Sequence, residues 1–302
     1  MNNTTEKSLS GTTIGFIGLG LMGRPMARNL YNAGADMIVH SRSQGPVDEL
    51  LAQCPNCTSV PNPAAVAQKA DIIILMLSDT PALEIVLQGN SGVLSAIQPG
   101  TLIIDMGTSD TLITRALAKA VEDKGGAYVD APVSGGTLGA ESGELVIMAG
   151  GSEVALNQAS AILDVLGKQT THVGDIGAGQ VAKAANQIIV GLTIGAVSEA
   201  LALSRRAGVD PAQVRKALQG GFADSRILEV HGKRMVDHTF APGGKCTTQR
   251  KDLDQGLALA TALDMELPAT ALCRDLYDKL IDAGHGGLDH SALIKAIDTD
   301  WE

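Results

Sequence analysis

Aromatic side chains are scarce in this chain. Three Phe, three Tyr and one Trp make up 2% of 302 residues, so Ala, Val, Leu, Ile and 35 glycines must build the interior. Basic residues are in the minority, 23 Lys and Arg against 33 Asp and Glu, for a formal net charge of −10. This balance argues against a nucleic-acid partner, since phosphate contacts need a basic face. A small anionic substrate remains open, because a local cluster can oppose the overall sign. Only four cysteines are present. Cys54 and Cys57 have metal-like spacing but no second pair and no nearby histidine cluster. They read as incidental cysteines in a loop, no metal is expected, and a reducing, cytoplasmic compartment is. No signal peptide, internal repeat or low-complexity segment is read. The charge-free stretch 184–198 is well short of the about 20 residues that a membrane span needs. It also contains Asn186, Gln187, Thr193 and Ser198, so no membrane association is expected.

What is present suits two domains. Residues 1–11 are polar and read as a disordered tail. From 12 to 174 short apolar runs alternate with helical segments, the rhythm of a doubly wound, Rossmann-type α/β sheet. Strands are expected at 13–18, 36–40, 71–77, 101–105, 127–130, 144–149 and 170–173. Helices are expected from Pro25 to Asn32, at 62–68 behind an Asn62 cap, after a Thr80 cap, at 110–123 and at 152–166. From 175 to 302 the strand signal fades and an all-α domain is expected, with helices at 211–219, 225–236, 249–263, 268–283 and 289–297. One long helix, 177–207, organises it. Its apolar residues lie on more than one face, which predicts burial. Gly191 and Gly195 are spaced to admit another helix closely, such as one from a second subunit. So much apolar surface predicts a homodimer or homotetramer.

The first strand runs directly into Gly18, Leu19, Gly20, Leu21, Met22 and Gly23. This is G-x-G-x-x-G between strand and helix, the context that a dinucleotide site requires. The first glycine permits the turn, the second lets a pyrophosphate approach the backbone, and the third lets helix pack on strand. Free N–H groups at the helix start then hold the phosphates. Ser41, Arg42 and Ser43 end the second strand, with no Asp or Glu to take a ribose 2′-hydroxyl. An arginine and two hydroxyls suit a 2′-phosphate, so NADP is the expected cofactor, with NAD the alternative. Leu77 ends the strand at 71–77, Ser78 and Thr108 follow later strands, and all three are expected to line the same crevice. Ser134, Gly135 and Gly136 offer a hydroxyl and exposed N–H groups. They read either as a nest for a carboxylate or as a simple tight turn. Lys183 heads the long helix, with Asn186 and Gln187 at i+3 and i+4 on its face. On the helix alone, a lysine reaching into solvent is the commoner arrangement. His285 and His290 read as surface histidines.

Together these segments resemble the β-hydroxyacid dehydrogenase family, which includes 3-hydroxyisobutyrate dehydrogenase and tartronate semialdehyde reductase. GFIGLGLMGRPMARNL at 15–30 is similar to its cofactor motif and DAPVSGG at 130–136 to its substrate motif. GAGQVAKAANQ at 177–187 is similar to its catalytic motif and KDL at 251–253 to its fourth, in the family's order. The resemblance implies hydride transfer between a nicotinamide cofactor and a short semialdehyde or 3-hydroxy acid. It implies that Lys183 is the catalytic acid/base and that Ser134, Gly135 and Gly136 hold the substrate carboxylate. Asn186 and Gln187 would position the substrate, and Thr108 and Lys251 would contact the cofactor. Many members carry a second Asn where this chain has Gln187. The Asn-Gln pair is similar to tartronate semialdehyde reductases, which implies that substrate ahead of 3-hydroxyisobutyrate or succinic semialdehyde.

Overall fold

The computed structural model describes residues 8–301. They form two units, the first ending at Lys183 and the second beginning at Ala184.

In chain order the first unit holds β1 (Thr13–Ile17), α1 (Gly23–Asn32), β2 (Asp36–His40), α2 (Gln44–Gln53), β3 (Thr58–Ser59), α3 (Pro63–Ala67), β4 (Ile72–Leu75) and α4 (Thr80–Gln88). There follow β5 (Leu102–Asp105), α5 (Thr111–Glu122), β6 (Ala127–Asp130), β7 (Val133–Ser134), α6 (Gly136–Ser142), β8 (Leu145–Gly150), α7 (Glu153–Leu166) and β9 (Gly167–Gly174). The strand order is β3-β2-β1-β4-β5-β6-β8-β7, with β9 beside β8. β1 to β6 are parallel, while β8 runs antiparallel to β6 and β7. The order reverses between β1 and β4, the switch point at which a doubly wound sheet opens a crevice beyond its strand ends.

The strand residues explain the layering. Ile74 and Ile104 lie in one core cluster, and Ile73, Leu75 and Ile103 in another. Successive side chains of β4 and β5 thus enter opposite layers, which is why these strands are apolar throughout. Gly15 is a steric necessity, since a Cβ there would meet Val66 Cγ1 at 2.3 Å.

Helix starts follow their caps. Asn62 accepts a hydrogen bond from a first-turn N–H group, as the sequence predicts, and Asp110 and Ser152, read as the first residues of their helices, cap them in the same way. At α4 the cap is Asp79, which accepts from Ala82 N at 2.9 Å. Thr80, the expected cap, is the first helical residue instead, and its Oγ1 accepts the Asp110 N–H at 2.9 Å. The sequence reading does not mark α2, whose first turn contains Gly45 and Pro46, residues that a helix tolerates there. Nor does it mark β7 and α6, which are short.

Of the tail read at 1–11, residues 1–7 lie outside the described residues. The rest of it is not loose: Leu9 is buried, and its N–H donates to the Ala33 carbonyl at 2.7 Å. Cys54 and Cys57 are free, but they are packed rather than merely looped out, and burial pushes the Cys57 thiol up to about 12.

α8 (Ala178–Arg206) leaves the first unit after Lys183 and continues into the second. There follow α9 (Pro211–Leu218), α10 (Arg226–Val236), α11 (Cys246–Ala262), α12 (Pro268–Leu280) and α13 (Ile294–Ile297). α12 stops short of the expected 283 and passes into a π turn, Ile281–His285, in which Gly284 has φ of 85°. Ile194, Val197, Leu201, Leu253, Tyr277 and Trp301 form the core of this unit.

The glycine pair of α8 admits helices of this same chain. A Cβ on Gly191 would meet Leu253 Cδ2 of α11 at 3.0 Å, and one on Gly195 would lie 3.9 Å from Cys273 Sγ of α12. The helix is not buried all round, however. Ile189 and Leu203 are 65% and 71% exposed, because the other helices cover only one side of α8. Length and composition alone would let α8 cross a membrane, yet Ile194, Val197, Leu201 and Ala202 are spent on the core of the second unit.

Candidate functional site

The strand ends of the first unit bring most of the predicted cofactor residues onto one rim. Gly18 follows β1, and its φ of 103° needs a glycine. A Cβ there would also strike the Met76 carbonyl oxygen at 2.3 Å and lie 3.2 Å from Leu77 Cδ2. A Cβ on Gly107 would lie 3.1 Å from the Leu77 carbonyl oxygen. The turns after β1, β4 and β5 are therefore in contact, with Gly18, Leu77 and the Gly107 loop side by side.

Gly23 is fixed by packing: a Cβ there would fall 1.9 Å from the Gly18 carbonyl oxygen. Gly20 is different, since an added Cβ meets nothing within 4 Å. Its backbone faces open space, where a phosphate could approach. α1 begins beside it with no side-chain cap, although the Arg24 N–H of its first turn donates to the Gly20 carbonyl at 3.2 Å. Leu19 is buried beneath the turn, Leu21 is 55% exposed and Met22 half-buried. These residues fit the diphosphate of a nicotinamide dinucleotide.

At the end of β2, Ser41 Oγ accepts the Leu19 N–H at 3.4 Å and so ties this turn to the glycine turn. Arg42 and Ser43 are exposed, with no acidic residue between His40 and Gln44. Ser78 is exposed and donates to Asp79 Oδ2 at 2.8 Å, while Thr108 is half-buried.

Ser134 ends β7 half-buried, and Gly135 and Gly136 open α6 in exposed positions. Gly135 has φ of 134° and Gly136 61°, and α6 lacks a side-chain cap. Positive φ at both residues is a backbone that glycine supplies without strain. Lys183 does not reach into solvent. It is 7% exposed, and its Nζ donates to the Val133 carbonyl at 2.7 Å. The lysine is therefore held beside the very turn that carries Ser134, Gly135 and Gly136.

In the second unit Asn186 and Gln187 belong to a polar chain. Asn186 Nδ2 donates to Gln187 Oε1 at 2.8 Å, and Gln187 Nε2 donates to Asp252 Oδ2 and to Gln249 Oε1. Lys251 Nζ lies 3.0 Å from Asp252 Oδ1. The buried Asp252 carboxylate thus links the amide pair of α8 to Lys251. Sequence reasoning missed Asp252, although its place beside Lys251 in the fourth motif was a signal. It also missed Gln180, which recurs with Lys183 and Gln187 at i, i+3 and i+7 on an otherwise apolar helix.

Two buried carboxylates sit beneath the rim. Asp105 accepts from Gly107 N, Ser109 Oγ and Tyr128 OH, and burial pushes it up to about 7. Asp130 accepts the Gly177 and Gln180 N–H groups at the start of α8, and burial pushes it up to about 6.

His290 corrects the surface reading. It is half-buried, with Nδ1 3.3 Å from Gln249 Oε1, and its ring meets His231 edge-on. His231, Asp289 and His290 could group around an ion. The Asp289 carboxylate, however, already accepts from Arg234, the Gly243 and Gly244 N–H groups and Ser291. Burial alone would raise it, but the His231 and His290 rings and these donors hold it well below the usual carboxylate range. An arginine on the same carboxylate opposes a cation, so the cluster reads as a structural junction.

A family model described as the NAD binding domain of 6-phosphogluconate dehydrogenase matches residues 13–174. One described as the NAD-binding domain of NADP-dependent 3-hydroxyisobutyrate dehydrogenase matches residues 177–297. The chain is 48% identical over 286 residues to 2-hydroxy-3-oxopropionate reductase of Escherichia coli (strain K12), covering 94% of this chain and 97% of that one. It is 37% identical over 298 residues to 2-(hydroxymethyl)glutarate dehydrogenase of Eubacterium barkeri, covering 98% and 96%. The crystal structure of 3-hydroxyisobutyrate dehydrogenase from Salmonella typhimurium superposes with a TM-score of 0.85 at 28% identity, over 94% of this chain and 99% of that one.

Proposed function

The chain belongs to the 3-hydroxyisobutyrate dehydrogenase family of NAD(P)-dependent oxidoreductases, and on that premise we propose that it reduces 2-hydroxy-3-oxopropionate (tartronate semialdehyde) to glycerate with NADPH. The observation that carries the reading is the buried Lys183, bonded to the Val133 carbonyl beside Ser134 and one turn before Asn186 and Gln187. Identity of 48% to a 2-hydroxy-3-oxopropionate reductase supports the choice of acid.

NADPH, when bound, supplies the hydride that reaches the aldehyde carbon. The protein's part is to hold the acid and to move one proton. Ser134 and the N–H groups of Gly135 and Gly136 bind the carboxylate. Negative charge grows on the aldehyde oxygen during reduction, and Lys183 Nζ donates a proton to it; in the reverse direction the neutral amine accepts that proton. The Val133 carbonyl fixes the ammonium in place, so little reorganisation accompanies the transfer. Asn186 and Gln187 orient the substrate, and the chain through Asp252 holds them and Lys251. Arg42, with Ser41 and Ser43, takes the 2′-phosphate, which favours NADPH over NADH.

We read the chain further as a homodimer or homotetramer. The exposed apolar positions Ile189 and Leu203 on α8 support self-association.

The test of substrate is a comparison of kcat/KM with NADPH for tartronate semialdehyde, the semialdehyde of 3-hydroxyisobutyrate and succinic semialdehyde. Tartronate semialdehyde is expected to lead by about tenfold or more, the discrimination that polar groups matched to its hydroxyl provide. If it ranks far below either competitor, the choice of acid fails while the reductase reading stands.

A further inference from the structure

The loop between β5 and α5 carries Thr108, and one side chain of α8 grips it on both sides. Gln180 Nε2 donates to the Gly107 carbonyl at 3.0 Å, and Gln180 Oε1 accepts the Ser109 N–H at 3.1 Å. These two backbone groups flank Thr108, so the amide closes across that residue. The contact needs a donor and an acceptor on one planar group, which glutamine supplies at any pH and a glutamate of the same length only when protonated. Gln180 is 2% exposed, so water does not compete for either bond.

The rest of the loop is held from β5 and α5. Gly107 N donates to Asp105 Oδ1 at 3.1 Å, and Ser109 Oγ bonds to Thr114 Oγ1 at 2.9 Å. The start of α8 is held as well: Gly177 N and Gln180 N donate to the two oxygens of Asp130 at 2.7 and 2.9 Å. Gly179 makes this approach possible, since a Cβ there would fall 2.6 Å from the Asp130 carbonyl oxygen. Lys183 comes three residues after Gln180, on the same side of the helix. A single buried amide thus stands between the turn of Thr108 and the turn of Lys183.

We propose that Gln180 is a positioning residue for the reduction: it fixes the Thr108 loop, which is read to contact the cofactor, relative to the Nζ of Lys183. The inference rests on the roles given above to Thr108 and Lys183. A residue that only stabilised the fold would change the melting temperature and leave turnover per folded molecule intact. A positioning residue changes kcat in molecules that are folded and loaded, because a misplacement of about 1 Å costs up to about a hundredfold in rate.

The experiment uses the full chain with Gln180→Ala, Gln180→Glu and Lys183→Ala, each assayed where circular dichroism finds it folded. NADPH binding is titrated by fluorescence, and kcat and KM are measured with whichever semialdehyde the wild type reduces fastest. Gln180→Ala is expected to lose about tenfold or more in kcat, with NADPH Kd and semialdehyde KM within about threefold of wild type. Gln180→Glu keeps the Ser109 bond but sets a carboxylate against the Gly107 carbonyl. Protonation restores the missing donor, so the ratio of its kcat to that of wild type should climb as pH falls from about 8 to about 6. Asp105 and Asp130 are present in both proteins and cancel in that ratio. Gln180→Glu carries the test alone if Gln180→Ala does not fold.

A kcat within about twofold of wild type in folded Gln180 variants, or a loss confined to NADPH Kd, overturns the positioning role. So does a Gln180→Glu ratio that stays flat with pH. Undiminished turnover in Lys183→Ala is a different failure, because it removes the assignment of the lysine itself, whatever Gln180 does.

Discussion

Lys183 Nζ lies 2.7 Å from the carbonyl oxygen of Val133, so the helix that carries the lysine is fastened to the turn that carries Ser134. The fastening continues at the helix start. There a Cβ on Gly179 would meet the Met148 and Asp130 carbonyl oxygens at 2.5 and 2.6 Å, backbone atoms that cannot yield cheaply. Gly179→Ala is therefore expected to cost about 1–3 kcal/mol of stability, the usual range for overpacking. Calorimetry beside a kcat measurement checks this, and both midpoint and kcat should fall. An unshifted midpoint would mean that the approach is looser than the geometry requires.

Arg42 is exposed at the end of β2, with no carboxylate nearby in sequence to receive a ribose hydroxyl. Arg42→Glu should lower kcat/KM for NADPH by about tenfold or more, the loss of one charge-assisted phosphate contact and the gain of a repulsive one. kcat/KM for NADH should hold or rise. Equal losses with both cofactors would take Arg42 out of the 2′-phosphate site.

Burial raises Asp105 to about 7 and Asp130 to about 6, against an ordinary carboxylate value near 4. The folded chain thus holds protons that the unfolded chain has released. The stability that they contribute is full below about pH 4 and is lost as pH rises through about 6 and 7. The wild-type melting midpoint should therefore fall between about pH 5 and about pH 8, and Asp105→Asn, which is neutral throughout, should fall less. Parallel curves for the two proteins would contradict the raised Asp105.

Ile189 and Leu203 stand exposed on a helix whose other side forms the core of the second unit. Placing a charge there leaves that core untouched. Ile189→Glu with Leu203→Glu should shift the sedimentation coefficient toward that of a monomer while circular dichroism stays unchanged. A wild type that already sediments as a monomer would end the oligomer reading.

Much of this was legible in the chain because the signals are local. The cap at Asn62 works through its own first turn, and the runs at β4 and β5 are apolar because both their faces are covered. The glycine turn is legible because Gly18 and Gly23 answer to one another across five residues. What the sequence hid depends on distant partners. Nothing near Thr80 says that Asp79 is the better-placed cap, or that the Thr80 hydroxyl accepts from Asp110. Residues 133–142 are too short and glycine-rich to announce β7 and α6. Leu9 looks like tail until its bond to Ala33 is seen. Gln180 and Asp252 join segments about 70 residues apart or cross between helices, contacts that no periodicity encodes.

The most direct test is turnover with Lys183→Ala. NADPH oxidation by tartronate semialdehyde is followed in wild type and variant, with NADPH Kd measured beside it. A proton donor in the transition state contributes about a hundredfold to ten-thousandfold, so kcat should fall by at least that lower figure while NADPH Kd stays within about threefold. Turnover close to wild type in the folded, NADPH-loaded variant would contradict the account, because the buried lysine beside Ser134 would then be structural.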